Sequence, residues 1–361
     1  MSGLRRLMSA SALLAAMLCV ACPPAALAAS GTAEGTPALS PPKEAVPAPA
    51  GAPVPAAGRM TLSLQRVGGS PPFALAGHRV HVVGTVAPYV PGQTVKISIY
   101  LQGRRVAVAI HSVLPAGHGK GQFRVAFTSR YPGVLDVRAA HYATEQQRAF
   151  KARAPLVRFV WPDLGPGSTG LSVSVLQSEL AELHFAVPLD GVFDEGTGRA
   201  LIAYRKITGL ERTPYADRQV FDLLARGEGG FHVHYPGDGR HVEADLTTQV
   251  LAEIEPGGHV RAIYTMSSGK PSTPTVVGRF RVYLKTPGEN SEGMVDSNYF
   301  IRGYAIHGYA EVPTYPASHG CLRVPIPDAP WIYAWVQYGT IVDVYNEGGG
   351  GSSRVLPNAG P

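Results

Sequence analysis

Cysteine is nearly absent from this chain. Three cysteines occur in 361 residues, and two of them, Cys19 and Cys22, lie within the first 28 residues. If that segment is removed, Cys321 is left alone, which excludes a disulfide framework inside the chain. An exported protein that keeps a single cysteine needs either a chemical explanation for that thiol or an intermolecular bond.

Long apolar runs are also lacking, which argues against a membrane-spanning helix, because such a helix needs about 20 apolar residues. The apolar run from Leu13 to Val20 follows Arg5 and Arg6 and precedes Ala26-Leu27-Ala28. This order is typical of a cleaved signal peptide. We therefore predict a signal peptide over residues 1–28, an extracytoplasmic location and no transmembrane helix in the mature chain. Lipid attachment at Cys22 is the alternative that remains open.

Charge is sparse as well, because only 16% of the residues are charged and the lysines and arginines are spread along the chain. The formal net charge of +6 falls to +4 without Arg5 and Arg6. A nucleic-acid-binding protein needs a concentrated basic face, so we predict no nucleic-acid partner. The predicted surface is mildly basic and suits an anionic wall or envelope.

Composition and periodicity predict a multidomain, mainly β protein. Residues 29–59 are rich in Ala and Pro and predict a disordered linker, and residues 347–361 predict a flexible tail. Alternation with a period of two over residues 60–158 predicts an immunoglobulin-like β-sandwich. Steps of three and four over residues 167–226 predict a small three-helix bundle. Residues 240–346 return to strand-like alternation and predict a mostly β catalytic domain.

One helix is predicted inside this last domain. Asp328 is placed to cap it, Pro330 suits its first turn, and Gly339 is placed to end it.

The helical segment carries a second family pattern. Leu176-Gln177, Asp190-Gly191-Val192-Phe193 and Thr197 stand at the places expected for the peptidoglycan-binding domain family, which residues 167–226 resemble. The resemblance implies a helical fold and an affinity for wall glycan. A helical spacer without a ligand is the alternative, because fold does not determine function.

The chemistry is concentrated around Cys321, within the segment 318–323. A thiol attacks a carbonyl carbon as the thiolate, which a nearby imidazole promotes. If residues 319–321 are extended, His319 and Cys321 share a face, whereas His307 must arrive from a neighbouring strand. The backbone N–H groups of Gly320 and Cys321 are candidates for binding a developing oxyanion. The spacing leaves both histidines open as the base.

These residues resemble the L,D-transpeptidases of the YkuD type. The resemblance covers about residues 240–345 and is carried by the Ile306-His307-Gly308 strand end, the block from Pro316 to Cys321, Ser267-Ser268-Gly269-Lys270 and Gly339-Thr340-Ile341-Val342. It implies that Cys321 is the nucleophile, that His307 is the general base oriented by the Gly308 carbonyl, and that His319 supports the site. Candidate substrate-binding residues are Ser318, Arg323, Tyr304 and Tyr309.

The implied reaction is acyl transfer between peptidoglycan stem peptides, one the donor and one the acceptor, without a metal or cofactor. The resemblance also implies acylation by carbapenems. Two alternatives stay open at this point. Water in place of the acceptor amine makes the protein an L,D-carboxypeptidase, and loss of catalysis leaves a wall-binding scaffold.

A second group of histidines comes before the predicted catalytic domain. His232 and His234 alternate on a predicted strand and His241 lies nearby, so a metal pair is one reading. Two alternate residues do not complete a four-ligand site. We therefore predict solvated histidines in a linker and no metal site.

Overall fold

The computed structural model describes residues 54–347. The predicted signal peptide, residues 29–53 of the predicted linker and the tail from residue 348 lie outside the described residues. Within the described part, no helix is both long and apolar enough to cross a bilayer. Ala56 already pairs with Gln147, and the first strand starts at Arg59. The end of the predicted linker therefore already belongs to the folded region.

The first ten strands form two sheets that share one apolar core. The four-stranded sheet has the order β1-β3-β7-β6, and the second has the order β2-β10-β8-β4-β5 with β9 paired to β8. Core side chains come from both sheets, among them Val80, Phe123, Ile97 and Val137. The strands are β1 Arg59–Gln65, β2 Phe73–Leu75, β3 Arg79–Ala87, β4 Thr94–Leu101, β5 Arg104–Ser112, β6 Leu114–Pro115, β7 Gly121–Thr128, β8 Gly133–His141, β9 Phe150–Arg153 and β10 Val157–Val160.

The predicted alternation is visible in β4. Val95, Ile97 and Ile99 are buried, while Lys96 and Ser98 lie on the opposite face and are partly exposed. Such alternation follows from the period of two along a strand. The mainly β content is confirmed here, and the immunoglobulin-like assignment stays a prediction.

Three helices follow: α1 Leu171–Glu182, α2 Glu195–Ile207 and α3 Arg218–Ala225. Asp194 caps α2 by accepting a hydrogen bond from the Thr197 amide at 2.8 Å, and Asp217 caps α3 through the Val220 amide at 3.0 Å. Such caps satisfy backbone donors that the first turn leaves unpaired.

The side chain of Gln177 connects α1 to the turn before α2. It is fully buried, donates to Asp190 and Thr197 at 3.0 and 2.9 Å, and accepts from the Gly191 amide at 2.8 Å. These residues carry the resemblance to peptidoglycan-binding domains. Their polar groups bond to one another, so the pattern specifies this turn; glycan binding stays a prediction.

The helices do not have a core of their own. Their apolar side chains pack with Phe73 and Leu75 of β2, with Val160 of β10, and with Val250 and Ile263 of the last third of the chain. The helical segment therefore joins the two β regions through buried contacts, and the predicted three-helix bundle stays a prediction.

The last third of the chain contains two more sheets, with strand orders β13-β12-β11-β19-β14 and β15-β16-β17-β18. Their facing side chains form one core together with Ile332 and Trp335 of the last helix. The elements are β11 His241–Asp245, β12 Val250–Glu255, β13 His259–Thr265, β14 Gly278–Arg281, β15 Leu284–Glu289, β16 Val295–Ile301, β17 Tyr304–Tyr309, β18 Leu322–Pro325, α4 Ala329–Trp335 and β19 Ile341–Tyr345.

The helix α4 differs from its prediction in two ways. The side chain of Asp328, at the N-cap position, makes no capping hydrogen bond and instead pairs with Arg199 of α2 at 3.1 Å. The helix ends at Trp335, whereas Gly339 adopts its positive φ of 82° in the turn that follows. The predicted end at Gly339 is therefore wrong by about one turn.

Candidate active site

Two parallel strands place the candidate residues on one face. In the pairing of β17 with β18, His307 lies opposite Arg323 and Ile306 lies opposite Leu322. Cys321 immediately precedes β18, two residues before Arg323. The side chains of His307, Cys321 and Arg323 line one cavity of about 330 Å³.

The imidazole of His307 is buried and oriented. Only 3% of the residue is exposed, and Nδ1 lies 2.9 Å from the carbonyl oxygen of Gly308. A carbonyl only accepts, so Nδ1 carries the proton and Nε2 keeps a free lone pair. The pKa of His307 is lowered to about 4, mainly by burial; the Gly308 bond opposes this effect and the charge of Arg323 adds to it. The ring is therefore neutral at neutral pH.

The thiol of Cys321 is also neutral in the resting site. Burial raises the pKa of the Cys321 thiol above its ordinary value, although a hydrogen bond from the Ala305 backbone and the charge of Arg323 act in the opposite direction. The Sγ atom lies 3.6 Å from the carbonyl oxygen of Gly303, to which the thiol donates. The resting pair is consequently thiol and imidazole.

The loop before Cys321 is held by Ser318, which is 1% exposed. Its Oγ donates to the carbonyl oxygen of Cys321 at 2.6 Å and accepts from the amide of Gly320 at 3.0 Å. Both bonds stay within the loop. The hydroxyl of Ser318, named above as substrate-binding, is thus placed to shape the loop.

Gly320 has a conformation that suits only glycine. Its φ is +123°, and an added Cβ would lie 1.9 Å from Cε1 of Tyr304. The Gly320 N–H already donates to Ser318, which removes it as a free oxyanion donor. The segment 319–321 is bent rather than extended, so the face-sharing expected for His319 and Cys321 does not arise from strand geometry.

His319 lies at the mouth of the cavity. Its side chain is exposed, and Nε2 lies 3.3 Å from Nζ of Lys270. The Lys270 amide donates to the carbonyl oxygen of Ser318 at 2.9 Å, which ties this edge to the loop. His307, not His319, is therefore the histidine with a buried, oriented ring beside the thiol.

The two candidate tyrosines have different positions. Tyr309 lines the cavity, and its ring centroid lies 4.0 Å from the guanidinium carbon of Arg323. The ring of Tyr304 packs against Gly320 and does not line this cavity. Tyr309 is thus placed to meet a ligand, and Tyr304 to support the loop.

Several residues of the site are missed by sequence reasoning. Glu292 and Met294, between β15 and β16, line the cavity, although no local pattern marks them. The Thr275 hydroxyl donates to the carbonyl oxygen of Gly320 at 2.8 Å. Thr275 lies in the Thr273-Pro274-Thr275 sequence that follows Lys270, so that motif was the available signal.

A series of hydrogen bonds connects the helical segment to the loop that precedes Cys321. Nζ of Lys206, on α2, donates to the carbonyl oxygens of Gln249 and Met266 and to the Thr265 hydroxyl, at 2.9, 2.8 and 2.7 Å. The Gln249 side chain bonds Ser268, whose carbonyl oxygen accepts from the Ser318 amide at 2.9 Å. Burial lowers the pKa of Lys206 to about 7.

The second histidine group has no metal-site geometry. His232 and His234 are exposed but not on a strand, so that prediction is wrong. His241 is fully buried, not solvated, and its Nε2 lies 3.2 Å from Oε1 of Glu243. Among residues 54–347, no three His, Cys, Asp or Glu side chains gather as metal ligands would.

A free thiol beside a buried neutral imidazole, at the ends of paired strands, defines the class of a candidate cysteine acyl-transfer site. Comparison with known proteins makes this class more specific. Residues 239–344 match the family described as the L,D-transpeptidase catalytic domain, YkuD. No curated protein is similar enough to the chain to count as a match.

Similar solved structures include three that carry the same description. An L,D-transpeptidase from Xylanimonas cellulosilytica is 34% identical, with 50% of this chain and 97% of that chain covered and a TM-score of 0.47. One from Stackebrandtia nassauensis is 22% identical, with 51% and 95% covered and a TM-score of 0.33. LdtMt1, in complex with imipenem, is 13% identical, with 81% and 100% covered and a TM-score of 0.27.

Residues 239–344 therefore form an L,D-transpeptidase catalytic domain of the YkuD family.

Proposed function

We propose that this protein is an exported L,D-transpeptidase that cross-links peptidoglycan stem peptides through a thioester on Cys321. One observation carries the proposal: the thiol and the imidazole of His307 line the same cavity, and the imidazole keeps Nε2 free as a base. The family of residues 239–344 supports the same chemistry.

In the first half-reaction, Sγ of Cys321 attacks the carbonyl carbon of the third residue of a donor stem. Nε2 of His307 takes the thiol proton as the S–C bond forms. Collapse of the tetrahedral intermediate breaks the peptide bond, and the imidazolium returns its proton to the leaving amine of the terminal D-alanine. A thioester remains on the enzyme.

In the second half-reaction, an amine of the acceptor stem attacks the thioester carbonyl. His307 takes a proton from the attacking nitrogen, the new amide bond forms, and the S–C bond breaks. The departing sulfur recovers a proton from the imidazolium. No step calls for a metal or a redox cofactor.

The pKa values of His307 and Cys321 determine whether the thiol proton is transferred before or during attack. The pKa of His307 is lowered to about 4 and that of the Cys321 thiol is raised, so a thiolate–imidazolium pair is strongly disfavoured before substrate binds. Proton transfer must therefore accompany attack, as in general base catalysis. The charge of Arg323 and the amide of Cys321 are the proposed stabilisers of the developing oxyanion.

The test is acylation by imipenem followed by intact mass measurement. We expect one drug-sized adduct on the wild-type chain and none on Cys321→Ala. An unmodified wild-type protein would favour a wall-binding scaffold. Incubation with a tetrapeptide-bearing disaccharide then separates the reactions, because a dimer supports transpeptidation and a trimmed tripeptide stem identifies an L,D-carboxypeptidase.

Export has its own test. If residues 1–28 are a signal peptide, the protein recovered outside the cytoplasm begins at residue 29. A chain that keeps Met1 and stays in the cytoplasm would contradict export without affecting the chemistry of Cys321.

A further inference from the structure

The outer face of the second sheet carries a basic cleft far from Cys321 in the sequence. The cleft has a volume of about 740 Å³ and runs over β5, β4, β8 and β9. Five cationic side chains line it, although they are spread over almost 60 positions of the sequence: Lys96, Arg105, Arg138, Lys151 and Arg153.

Strand register explains the shape of this cleft. Ser98 lies opposite Arg138, and Ala140 lies opposite both Lys96 and Lys151. Small side chains lie on the same face of the sheet as long cationic ones. The bottom of the cleft is therefore formed by small residues and its sides by charged ones. Pairing of distant strands thus makes a concentrated basic face that linear sequence does not reveal.

One carboxylate partly neutralises the cleft. Asp136 pairs with Arg138 and with Arg153, each at 2.7 Å. Burial raises the pKa of Asp136, but its bonds to the two arginines outweigh this and hold the pKa below the ordinary value. The remaining three cations, Lys96, Arg105 and Lys151, have no carboxylate within ion-pair distance among residues 54–347. The cleft therefore keeps an excess positive charge.

One aromatic ring of the cleft, that of Tyr100, has a cation over its face. The guanidinium carbon of Arg138 lies 4.5 Å from the ring centroid of Tyr100, and Nζ of Lys96 lies 3.3 Å from the hydroxyl of Tyr142. Proteins that bind single-stranded nucleic acid stack bases on free aromatic faces. The face of Tyr100 that Arg138 covers is therefore not free to stack a base.

The cleft continues into a neighbouring cavity. That cavity has a volume of about 420 Å³ and shares Lys96 and Tyr142 with the cleft. One carboxylate, Glu145, is among the residues that line it. We refer to the cleft and this adjoining cavity together as the groove.

We propose that this groove binds a linear polyol phosphate polymer of the cell wall. The three unpaired cations lie on three different strands, so a chain that crosses the sheet meets them in turn. A phosphodiester polymer carries its charge in the backbone and presents it at every repeat. The choice of a wall polymer rests on the proposed function, whereas the basic groove itself does not.

The experiment measures binding of poly(glycerol phosphate) to the whole chain. The test variant combines Lys96→Ala, Arg105→Ala and Lys151→Ala, which spares the Asp136 cluster. The matched control combines Arg79→Ala, Lys120→Ala and Arg130→Ala, which removes the same charge from exposed positions outside the groove. Each ionic contact near the surface contributes modestly, so we expect about tenfold weakening from the loss of three, in the test variant alone. Binding should also weaken as salt rises.

Equal weakening in both triple variants would overturn the proposal, because it would show attraction to overall charge. Equal binding of polygalacturonate would overturn the choice of phosphate, and tighter binding of single-stranded DNA would identify a nucleic-acid groove instead. Thermal unfolding checks that each variant is folded. Imipenem acylation of the test variant should be unchanged. In the wild-type chain, acylation without polymer binding would overturn the groove proposal alone, and polymer binding without acylation would overturn the proposed function alone.

Discussion

His241 and His307 are both buried in the last third of the chain, but their protonation equilibria shift in opposite directions. The pKa of His241 is raised, whereas that of His307 is lowered to about 4. Both rings donate from Nδ1 to a backbone carbonyl oxygen, at 2.8 Å for His241 and 2.9 Å for His307. Burial and this shared bond therefore do not explain the difference.

The difference comes from the group near the second ring nitrogen. Burial lowers the pKa of His241, but Glu243, 3.2 Å from its Nε2, more than compensates. Burial raises the pKa of Glu243, but bonds from His241, two backbone amides and the Tyr345 hydroxyl lower it overall. Among residues 54–347, no carboxylate lies within ion-pair distance of His307, and Arg323 lies nearby instead.

The comparison shows how one domain uses the same side chain for two purposes. With an anionic partner, the buried imidazole of His241 has a raised pKa, and the protonated ring stabilises the fold. With a carbonyl and a cation as neighbours, it stays neutral and keeps Nε2 available for a proton. The neighbours set the role, not the burial.

The largest effect is expected when His307 and His241 are each replaced by glutamine in separate variants. His307→Gln should lower the rate of imipenem acylation by about 10²–10⁴-fold, because a general base contributes that much. His241→Gln should leave the rate nearly unchanged and lower stability instead. Intact mass kinetics measures the acylation rate and thermal unfolding measures stability. A large rate loss in His241→Gln would contradict the different roles of the two histidines.

The next largest effect is expected on stability when the carboxylate of Glu243 is removed. Glu243→Gln should lower the free energy of unfolding by about 3 kcal/mol, because it leaves buried His241 without its ionic partner. Exposed Glu289→Gln is the matched control and should change little. Denaturant unfolding measures both, and equal effects would show that the buried pair has no special weight.

The same pair predicts a pH window for stability. The raised pKa of His241 stabilises the fold below its unfolded value of 6.5, and this contribution is lost as pH rises through the folded pKa. The lowered pKa of Glu243 stabilises above 4.5 and is lost as pH falls. The difference between wild type and Glu243→Gln should therefore be largest between about pH 4.5 and 6.5, and a flat difference would contradict the ion pair.

A smaller effect is expected at Arg323. Its charge lowers the pKa of His307, so Arg323→Gln should raise that pKa. Arg323→Lys keeps the charge and serves as the control. NMR titration of the His307 ring measures both, and an unchanged pKa in Arg323→Gln would assign the depression to burial alone.

Much of this site was predictable from local pattern. The Ile306-His307-Gly308 strand end and the block around Cys321 indicated the chemistry, and strand and helix periods predicted the mainly β content and the helical segment. Periodicity reports which face of an element is apolar, not which distant element covers it. The sharing of the helical core with Phe73 and Ile263 was therefore missed.

The remaining misses have the same physical cause. His241 was expected in solvent, because Glu243 acquires its role only when the amides of His234 and Tyr235 and the hydroxyl of Tyr345 converge on it. The N–H of Gly320 was expected to be free, because its bond to Ser318 depends on the bend of the loop. Long-range pairing and loop conformation are not encoded in spacing alone.

The proposed mechanism requires that His307 and the thiol of Cys321 are both neutral before attack and that His307 acts as the base during attack. The pH dependence of imipenem acylation under pseudo-first-order conditions tests it most directly. We expect an acylation rate that stays level as pH falls below 6.5 and declines only near the His307 pKa of about 4. A decline centred at or above pH 6.5, absent from His307→Gln, would show an imidazole of ordinary basicity and contradict the claim.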